Sequence, residues 1–391
     1  MGHFVGFLLI LFFIVMIFGA IVTLFAFIQA ALRLPPYDQN NDGAAIRNVG
    51  LVLAALVGAP FVIWRTSIAA KQVSVAEEAL YNEKISSAAN GLSSRYQKTV
   101  VSRSDQLPEH STIWEDDQVL RAASIDQFEG LVSEKPELAP RIVKLIASYI
   151  RGTFPAENLD ITEPPFRAAT PRMDLQKSVD AISNLLPVAR QIDNSNWRLD
   201  LRRTNFDGVN FDSGYFFAID FSQSRMEACS MENADMSGAD FSGSLLNFSW
   251  FRGADLTGAK FDRCILNRPK ADARGMVTSI NFADSIRGIS LIASDVTALD
   301  YFGEPDVVRT TFGTNDTQLP YNFHPQIPDL ETRRLAVGAD VSGSEKAKKA
   351  LETVALTGFE SWSPYDSNDM ATGHLKKRFL DKIGLNKWPY N

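Results

Sequence analysis

The sequence predicts a chain of mixed class: an N-terminal two-helix transmembrane hairpin, an α-helical stalk and cap, a quadrilateral β-helix, and a helical C-terminal tail. Three observations predict it. Two apolar runs stand at the N-terminus, helical spacing follows them, and from residue 201 large apolar residues recur at every fifth position.

The chain has 391 residues, enough for two or three domains. Its net charge of −7 is mild for that length and argues against broad nucleic-acid binding. Two cysteines, Cys229 and Cys264, make no disulfide scaffold, and His3, His110, His324 and His374 show no ligand spacing. No phosphate loop or nucleophile–base pairing is evident. The expectation is therefore a non-enzyme without metal or cofactor.

The first 32 residues contain no Asp, Glu, Lys or Arg. Residues 4–32 are almost wholly apolar, and about 20 such residues cross a bilayer's hydrocarbon core. A signal peptide would carry a basic start and a shorter apolar core, so an uncleaved span is expected. Residues 48–64, between Arg47 and Arg65, form a second run near the short limit for a span, with Gly58 and Pro60 expected to bend it. The connector from Arg33 to Arg47 holds Pro35, Pro36, Asn40, Asn41, Asp42 and Gly43 and reads as a turn-rich loop. Residues 1–65 are thus expected to form a transmembrane hairpin.

Residues 66–190 read as one α-helical stalk and cap. Val73, Ala76, Leu80, Ile85, Ala88 and Leu92 lie near helical spacing. Two further helices are expected over 117–152, broken near Lys135-Pro136, and another from Met173 to Gln191.

The next segment, 196–312, carries the most specific signal. Every fifth residue is large and apolar: Leu201, Phe206, Phe211, Phe216, Phe221, Met226, Met231, Met236, Phe241, Leu246, Phe251, Leu256, Phe261 and Leu266. Two residues before each centre the side chains become small, as at Cys229, Ala234, Ala239, Ala254, Ala259 and Cys264. Residues two apart in extended chain face the same way, so both positions point inward and the chain must turn a corner before the next unit. Four units of five close a square coil, and coils stack at about 4.8 Å through backbone hydrogen bonds. One face then stacks Leu201, Phe221, Phe241 and Phe261, and the centres of the other faces stack likewise. Aspartates and glutamates beside the centres are expected to project outward as solvated side chains. The two cysteines fall at small inward positions on different faces, so they read as free, buried thiols acting as small apolar residues. Free thiols fit a reducing compartment.

On these residues the chain resembles the pentapeptide-repeat family, whose unit is Ala-Asp/Asn-Leu/Phe followed by two variable residues. The matching stretches are Ala234-Asp235-Met236-Ser237-Gly238, Ala239-Asp240-Phe241-Ser242-Gly243, Ala254-Asp255-Leu256-Thr257-Gly258 and Ala259-Lys260-Phe261. Leu199, Gly214 and Ile219 depart from the small-residue rule and suggest a looser first coil. The resemblance implies a right-handed β-helix. The apolar runs, the Trp64-Arg65-Thr66 exit and the helices before the repeat are also similar to bacterial membrane-anchored members. That likeness implies an inner-membrane protein with two spans and, from the free thiols, a cytoplasmic body.

The regular repeat is expected over 199–268 and an irregular continuation over 269–312. The register falters at Pro269 and Arg274, and Leu291, Val296 and Tyr301 resume it. Residues 313–391 are expected to form a Pro-rich linker and a tail with helices at Glu345–Val354 and His374–Ile383. The basic cluster Lys376, Lys377, Arg378 and Lys382 reads either as a solvated helix face or as a contact for anionic lipid or a partner.

The function expected is a membrane-anchored scaffold. Its partners are the lipid bilayer and an unidentified protein, a second copy included. Two alternatives stand beside it. Some soluble pentapeptide-repeat proteins mimic duplex DNA and inhibit type II topoisomerases. Mimicry needs an acidic rod, whereas residues 196–268 hold ten acidic and eight basic residues, a difference of only −2. The other alternative is a subunit of an oligomeric membrane complex.

Overall fold

The computed structural model describes residues 17–19, 21–22, 24–29, 32, 42–104, 107–156, 170–266, 285–297, 308–319 and 327–390. The chain divides into two compact units, Met1–Glu83 and Lys84–Asn391.

In the first unit the dominant element is helix α1, Asp42–Gly91, which continues into the second. It runs through Gly58 and Pro60 without a break, so the expected second span and the stalk are one helix. Its start at Asp42 also corrects the loop expected up to Arg47: Ala44, Ala45 and Arg47 favour helix, and Asp42 suits a helix N-terminus. Phe61, Val62, Ile63 and Trp64 on it are exposed. Among the described residues no helix is long and apolar enough to cross a membrane. The expected first span, 4–32, lies largely outside the described residues.

In the second unit, the end of α1 packs Ile85 and Ala88 into a helical layer. A Cβ at Gly91 would stand 2.0 Å from Ser124 Oγ, so only glycine permits that approach. The all-helical reading of 66–190 is then overturned. Strands β1, Arg95–Ser104, and β2, Leu107–Asp116, form an antiparallel hairpin pairing Arg95 with Asp116. Thr99, Val100 and Val101 on one strand face Thr112, Ser111 and His110 on the other, and Ile113 and Trp114 follow. These β-branched and aromatic residues favour extended backbone over helix.

Helices α2, Gln118–Glu134, α3, Ala139–Thr153, and α4, Met173–Ile192, complete the layer, with Pro136 opening a 3-10 turn between α2 and α3. A buried ionic cluster ties them to the hairpin. Asp174 has no solvent exposure; its carboxylate accepts from Arg172 at 2.6 Å and from the Tyr149 hydroxyl at 2.7 Å. Arg121 donates to Asp116 at the end of β2 at 2.7 Å, and Arg172 donates to the same carboxylate at 2.9 Å.

From Leu199 the chain coils. Leu199–Asp200 (β3) pairs in parallel with Ile219–Asp220 (β4), and bridges continue at steps of twenty residues: Asn205 to Arg225 to Leu245 to Ile265, and Tyr215 to Asp235 to Asp255. After Leu266 the step becomes 30, as Asp255 pairs with Ser285, Lys260 with Ser290 and Ile265 with Asp295. The ten additional residues of sequence fall within 267–284, which lie outside the described residues. Ser290 and Asp295 then pair with Phe312 and Gln318. Leu291 and Val296 are fully buried; Tyr301 falls outside the described residues.

Each corner is a β-turn. At most corners the carbonyl of the centre accepts from the N–H three residues on, as from Ala239 to Met236 at 3.0 Å, whereas Thr204 and Ser224 N–H donate to Ser224 and Ser244 Oγ of the next coil; the residue two after the centre has positive φ throughout. That is the type II signature. Among the described residues nine non-glycine residues, Arg203, Gln223, Asn233 and Phe248 included, adopt this conformation, so the stacked coil imposes it on side chains that ordinarily avoid it.

Both open edges of the solenoid are capped. At the first coil, Asn205 N–H donates to Phe154 O at 2.8 Å, Asn210 N–H to Gln176 Oε1 at 3.0 Å, and Tyr215 N–H to Ser183 Oγ at 3.0 Å. Helix α4 therefore satisfies backbone groups that would otherwise template another strand. At the far end, Ser363 N–H donates to Gly313 O, Asn315 N–H to Tyr365 O, and the Trp362 indole to Val308 O. The tail supplying these groups folds as α5, Leu330–Val337, α6, Ala339–Ser342, α7, Glu345–Thr357, and α8, Met370–Lys382.

Candidate interaction surface

The β-helix interior is filled by its centres. All fourteen, Leu201 to Leu266, are at most 2% exposed. Phe221 stacks on Phe241 with ring centroids 5.4 Å apart, and Phe241 on Phe261 at 4.8 Å. Ala234, Ala239, Ala254 and Ala259 are buried beside them.

The other small inward residues do more than fill space. Cys229 Sγ–H donates to Phe206 O at 3.0 Å, Cys264 Sγ–H to Phe241 O at 2.8 Å, and Ser244 Oγ–H to Phe221 O at 2.9 Å. Each bonds the centre of the preceding coil. Both cysteines are free, and burial pushes both thiols well above their ordinary range.

The outward carboxylates are not simply solvated, which corrects that expectation. Asp220, Asp240 and Asp255 each accept from the backbone N–H two residues on, at 3.0, 3.0 and 2.9 Å. Asn205 and Asn210 do the same. The preference for Asp or Asn before the centre thus has a local cause: a short acceptor closes the corner.

What matters for recognition is which faces stay open. The face turning at Ala218, Gly238, Gly258 and Gly288 is covered by the chain's own C-terminus, residues 383–390. A Cβ at Gly238 would meet Pro389 Cγ at 2.4 Å, one at Gly258 would meet Tyr390 Cδ1 at 2.1 Å, and one at Gly288 would meet Leu385 Cδ1 at 2.3 Å. Positive φ alone does not select glycine here, since other columns carry Arg, Gln, Asn or Phe at the same turn position. Close approach of the tail does. The strap ends where Arg190, reaching from α4, lies 4.1 Å from the Trp197 ring and 5.2 Å from the Trp388 ring, with its guanidinium donating to Trp197 O and Phe217 O. Burial lowers the Arg190 pKa to about 10. Helix α8 adds Phe379 and Leu380 against Phe312. Of the basic cluster on α8, Lys376 pairs with Asp262 at 3.0 Å and Lys382 with Glu360 at 3.5 Å, so part of it binds within the fold. On another face Leu245, Asn247 and Phe248 are buried.

Besides the corners at Arg203, Gln223 and Arg263, whose side chains are exposed, a second column stays open over successive coils. Asn210, Ser230 and Trp250 precede its centres; Asp212, Glu232 and Arg252 follow them. Trp250 is 36% exposed, and Asn210, Asp212, Asn233 and Arg252 are exposed too. Arg252 donates to Glu232 at 2.7 Å, and Asp212 accepts from Ser230 Oγ–H at 2.5 Å and from Glu232 N–H at 2.8 Å. The side chains are held by neighbouring coils before any partner arrives. Where this column meets α4, a polar groove of about 530 Å³ opens between Asp180, Asn184, Asp212 and Ser213. Among the described residues no His, Cys, Asp and Glu side chains are grouped so as to hold a metal ion.

The family described as pentapeptide repeats matches with eight copies over residues 215–247 and 229–268. Residues 215–268 are pentapeptide repeats. No curated protein matches the chain. Among solved structures, the pentapeptide-repeat β-helix is similar to HetL of the cyanobacterium Nostoc sp. strain PCC 7120, a protein involved in heterocyst differentiation regulation, at 16% identity over 31% of this chain and 44% of that one, TM-score 0.23. It is similar to a pentapeptide repeat protein of the Arabidopsis thaliana thylakoid lumen at 19% identity, over 29% and 77% of the two chains, TM-score 0.16. It is also similar to QnrB1, a plasmid-mediated fluoroquinolone resistance protein, at 12% identity, over 31% and 70%, TM-score 0.21. The chain spans less than half the length of HetL.

The sequence reading missed the type II corners, the corner-closing role of Asp and Asn, and the C-terminal strap. One signal for the strap was present: Gly238 and Gly258 stand twenty residues apart, in one column.

Proposed function

We propose that this protein is a non-catalytic scaffold that binds a protein partner on the open column of its pentapeptide-repeat β-helix. The observation that carries the reading is the Trp250–Arg252 column, left exposed while the glycine face is covered by the chain's own tail. Tryptophan and arginine are the side chains that most often dominate binding energy at protein interfaces. Here both stand on a rigid stack, so little conformational freedom is lost on binding.

The N-terminal segment is proposed as the membrane attachment. Residues 4–32 support it by their length and lack of charge, and α1 supports it by its exposed Phe61, Val62, Ile63 and Trp64. The finding on the described helices counts against α1 as a span in its own right, so the two-span hairpin rests on the sequence pattern. A bacterial inner-membrane location with a cytoplasmic body is supported by the two buried free thiols and by the sequence resemblance. The near-balance of charge in the repeat speaks against DNA mimicry, because the arginines offset most of the carboxylates.

The test is photo-crosslinking in intact cells from Asn233, with and without Trp250→Ala. The reading expects a protein adduct that Trp250→Ala abolishes. Self-adducts alone would favour the oligomeric alternative, topoisomerase adducts the mimicry alternative. An adduct indifferent to Trp250 would place the binding surface elsewhere.

A further inference from the structure

On one face of the β-helix the residues preceding the centres are Asp200, Asp220, Asp240, Lys260 and Ser290. The three aspartates close their own corners, accepting from Arg202, Ser222 and Ser242 N–H. An ammonium has no acceptor and cannot do this. Lys260 instead lines a cavity of about 550 Å³ between the β-helix, α8 and the C-terminal strap.

The cavity is bounded by Lys376, Lys377, Leu380 and Asp381 of α8 and by Asn386 and Tyr390 of the strap. Lys376 is committed to Asp262 at 3.0 Å. Lys260 and Lys377 make no ion pair among the described residues, and Lys260 is half-buried. An ammonium withdrawn from water without a carboxylate in contact is held at a cost, which a bound anion would offset. Burial pushes the Lys260 pKa down; Asp240 and, less strongly, Asp262 oppose this, and Arg198 and Lys376 push with it. The Leu380 side chain, the Tyr390 ring and the lysine stems make the remaining wall apolar.

We propose that this cavity binds a small amphipathic anion, its carboxylate or phosphate head on Lys260 and Lys377 and its apolar body against Leu380 and Tyr390. The single carboxylate on the lining, Asp381, leaves positive charge in excess there. The head can belong to a lipid or to a free anionic metabolite, and the two sources differ in the weight of the apolar wall. This site is on a different face from the open column and does not depend on it.

The test is calorimetric titration of the full-length chain, in a nonionic detergent, with inorganic phosphate and with hexyl phosphate. The proposal expects saturable binding that weakens at least about tenfold in Lys260→Met and in Lys377→Ala, and is unchanged in Lys382→Ala, whose lysine pairs with Glu360 outside the cavity. Lys377 is exposed, so its variant decides the matter if Lys260→Met fails to fold. Hexyl phosphate binding about tenfold tighter than phosphate would mark the lipid-like source; equal affinities would mark the free anion. No saturable binding of either probe, or binding that survives both lysine replacements, overturns the proposal.

Discussion

Gly258→Ala isolates what the C-terminal strap contributes. Gly258 has φ +65°, and its new methyl would stand 2.1 Å from Tyr390 Cδ1 and 3.0 Å from Tyr390 Cγ. Gly243 is the control: its φ is +70°, and its nearest neighbour would be Gln223 Cγ at 3.6 Å, an ordinary contact. Gly243→Ala therefore carries only the backbone penalty of a left-handed residue, about 1 kcal/mol. Gly258→Ala carries that and also displaces the ring by more than an ångström. The extra cost cannot exceed the free energy of docking the strap, since the strap can let go. Tyr390 and Leu385 each bury part or most of an apolar side chain, at about 1.5–3 kcal/mol for full burial, so the extra cost is set at about 2 kcal/mol. The expected totals are about 3 kcal/mol for Gly258→Ala against about 1 kcal/mol for Gly243→Ala. Urea unfolding followed by far-UV circular dichroism measures both, and trypsin cleavage after Lys387 reports release of the strap. Truncation after Lys382 should erase the difference between the two variants, as a double-mutant cycle requires. Equal costs in the full-length chain would refute the account of the glycine column.

The remaining predictions concern the core, the ionic cluster, the thiols and acid stability. Phe241→Ala removes the middle ring of a three-ring stack and should cost about 3–5 kcal/mol, while Trp250→Ala should stay within about 1 kcal/mol, both by urea denaturation. Asp174→Ala leaves Arg172 and Tyr149 without their buried acceptor and should cost about 3–5 kcal/mol by the same assay. Cys229 and Cys264 should react with a disulfide reagent only on unfolding. Because burial raises their folded pKa, their contribution is complete below the unfolded thiol value and is lost as pH rises above it, so stability should fall in strong alkali. A flat stability profile there would count against it. The Arg202 hydrogen bond holds the Asp200 carboxyl below its ordinary value, so its contribution is present above the unfolded carboxyl pKa and lost as pH falls through the folded one. Asp200→Asn should therefore flatten the acid limb of a stability-versus-pH curve.

The repeat was legible because packing leaves it no freedom: each five-residue unit must place one large apolar residue on a narrow axis, so the period appears in the text from Leu201 to Leu266. Helix boundaries at Pro136 and Met173 were legible for a similar reason, being local. The hairpin over Arg95–Asp116 was not, since its charged residues broke up the strand alternation and the preceding helical pattern was carried past Gly91. The corners were hidden because stacking imposes positive φ on residues such as Arg203 and Phe248 that show no preference for it. The strap was hidden by distance, since Tyr390 meets Gly258 across 132 positions, and the change of step from twenty to 30 took Gly288 out of the twenty-residue spacing of its column. The open column could not be found from sequence at all: its exposure depends on where the tail lies.

The most direct test of the central claim compares crosslinking from the four faces of the β-helix in intact cells. Photoreactive residues would replace Gln223, Ala228, Asn233 and Asp255, one on each face, with adducts identified from the membrane fraction by mass spectrometry. The account predicts one protein partner, recovered from Asn233 and not from Asp255 beneath the strap. Recovery of the same partner from Asp255, with none from Asn233, would contradict it.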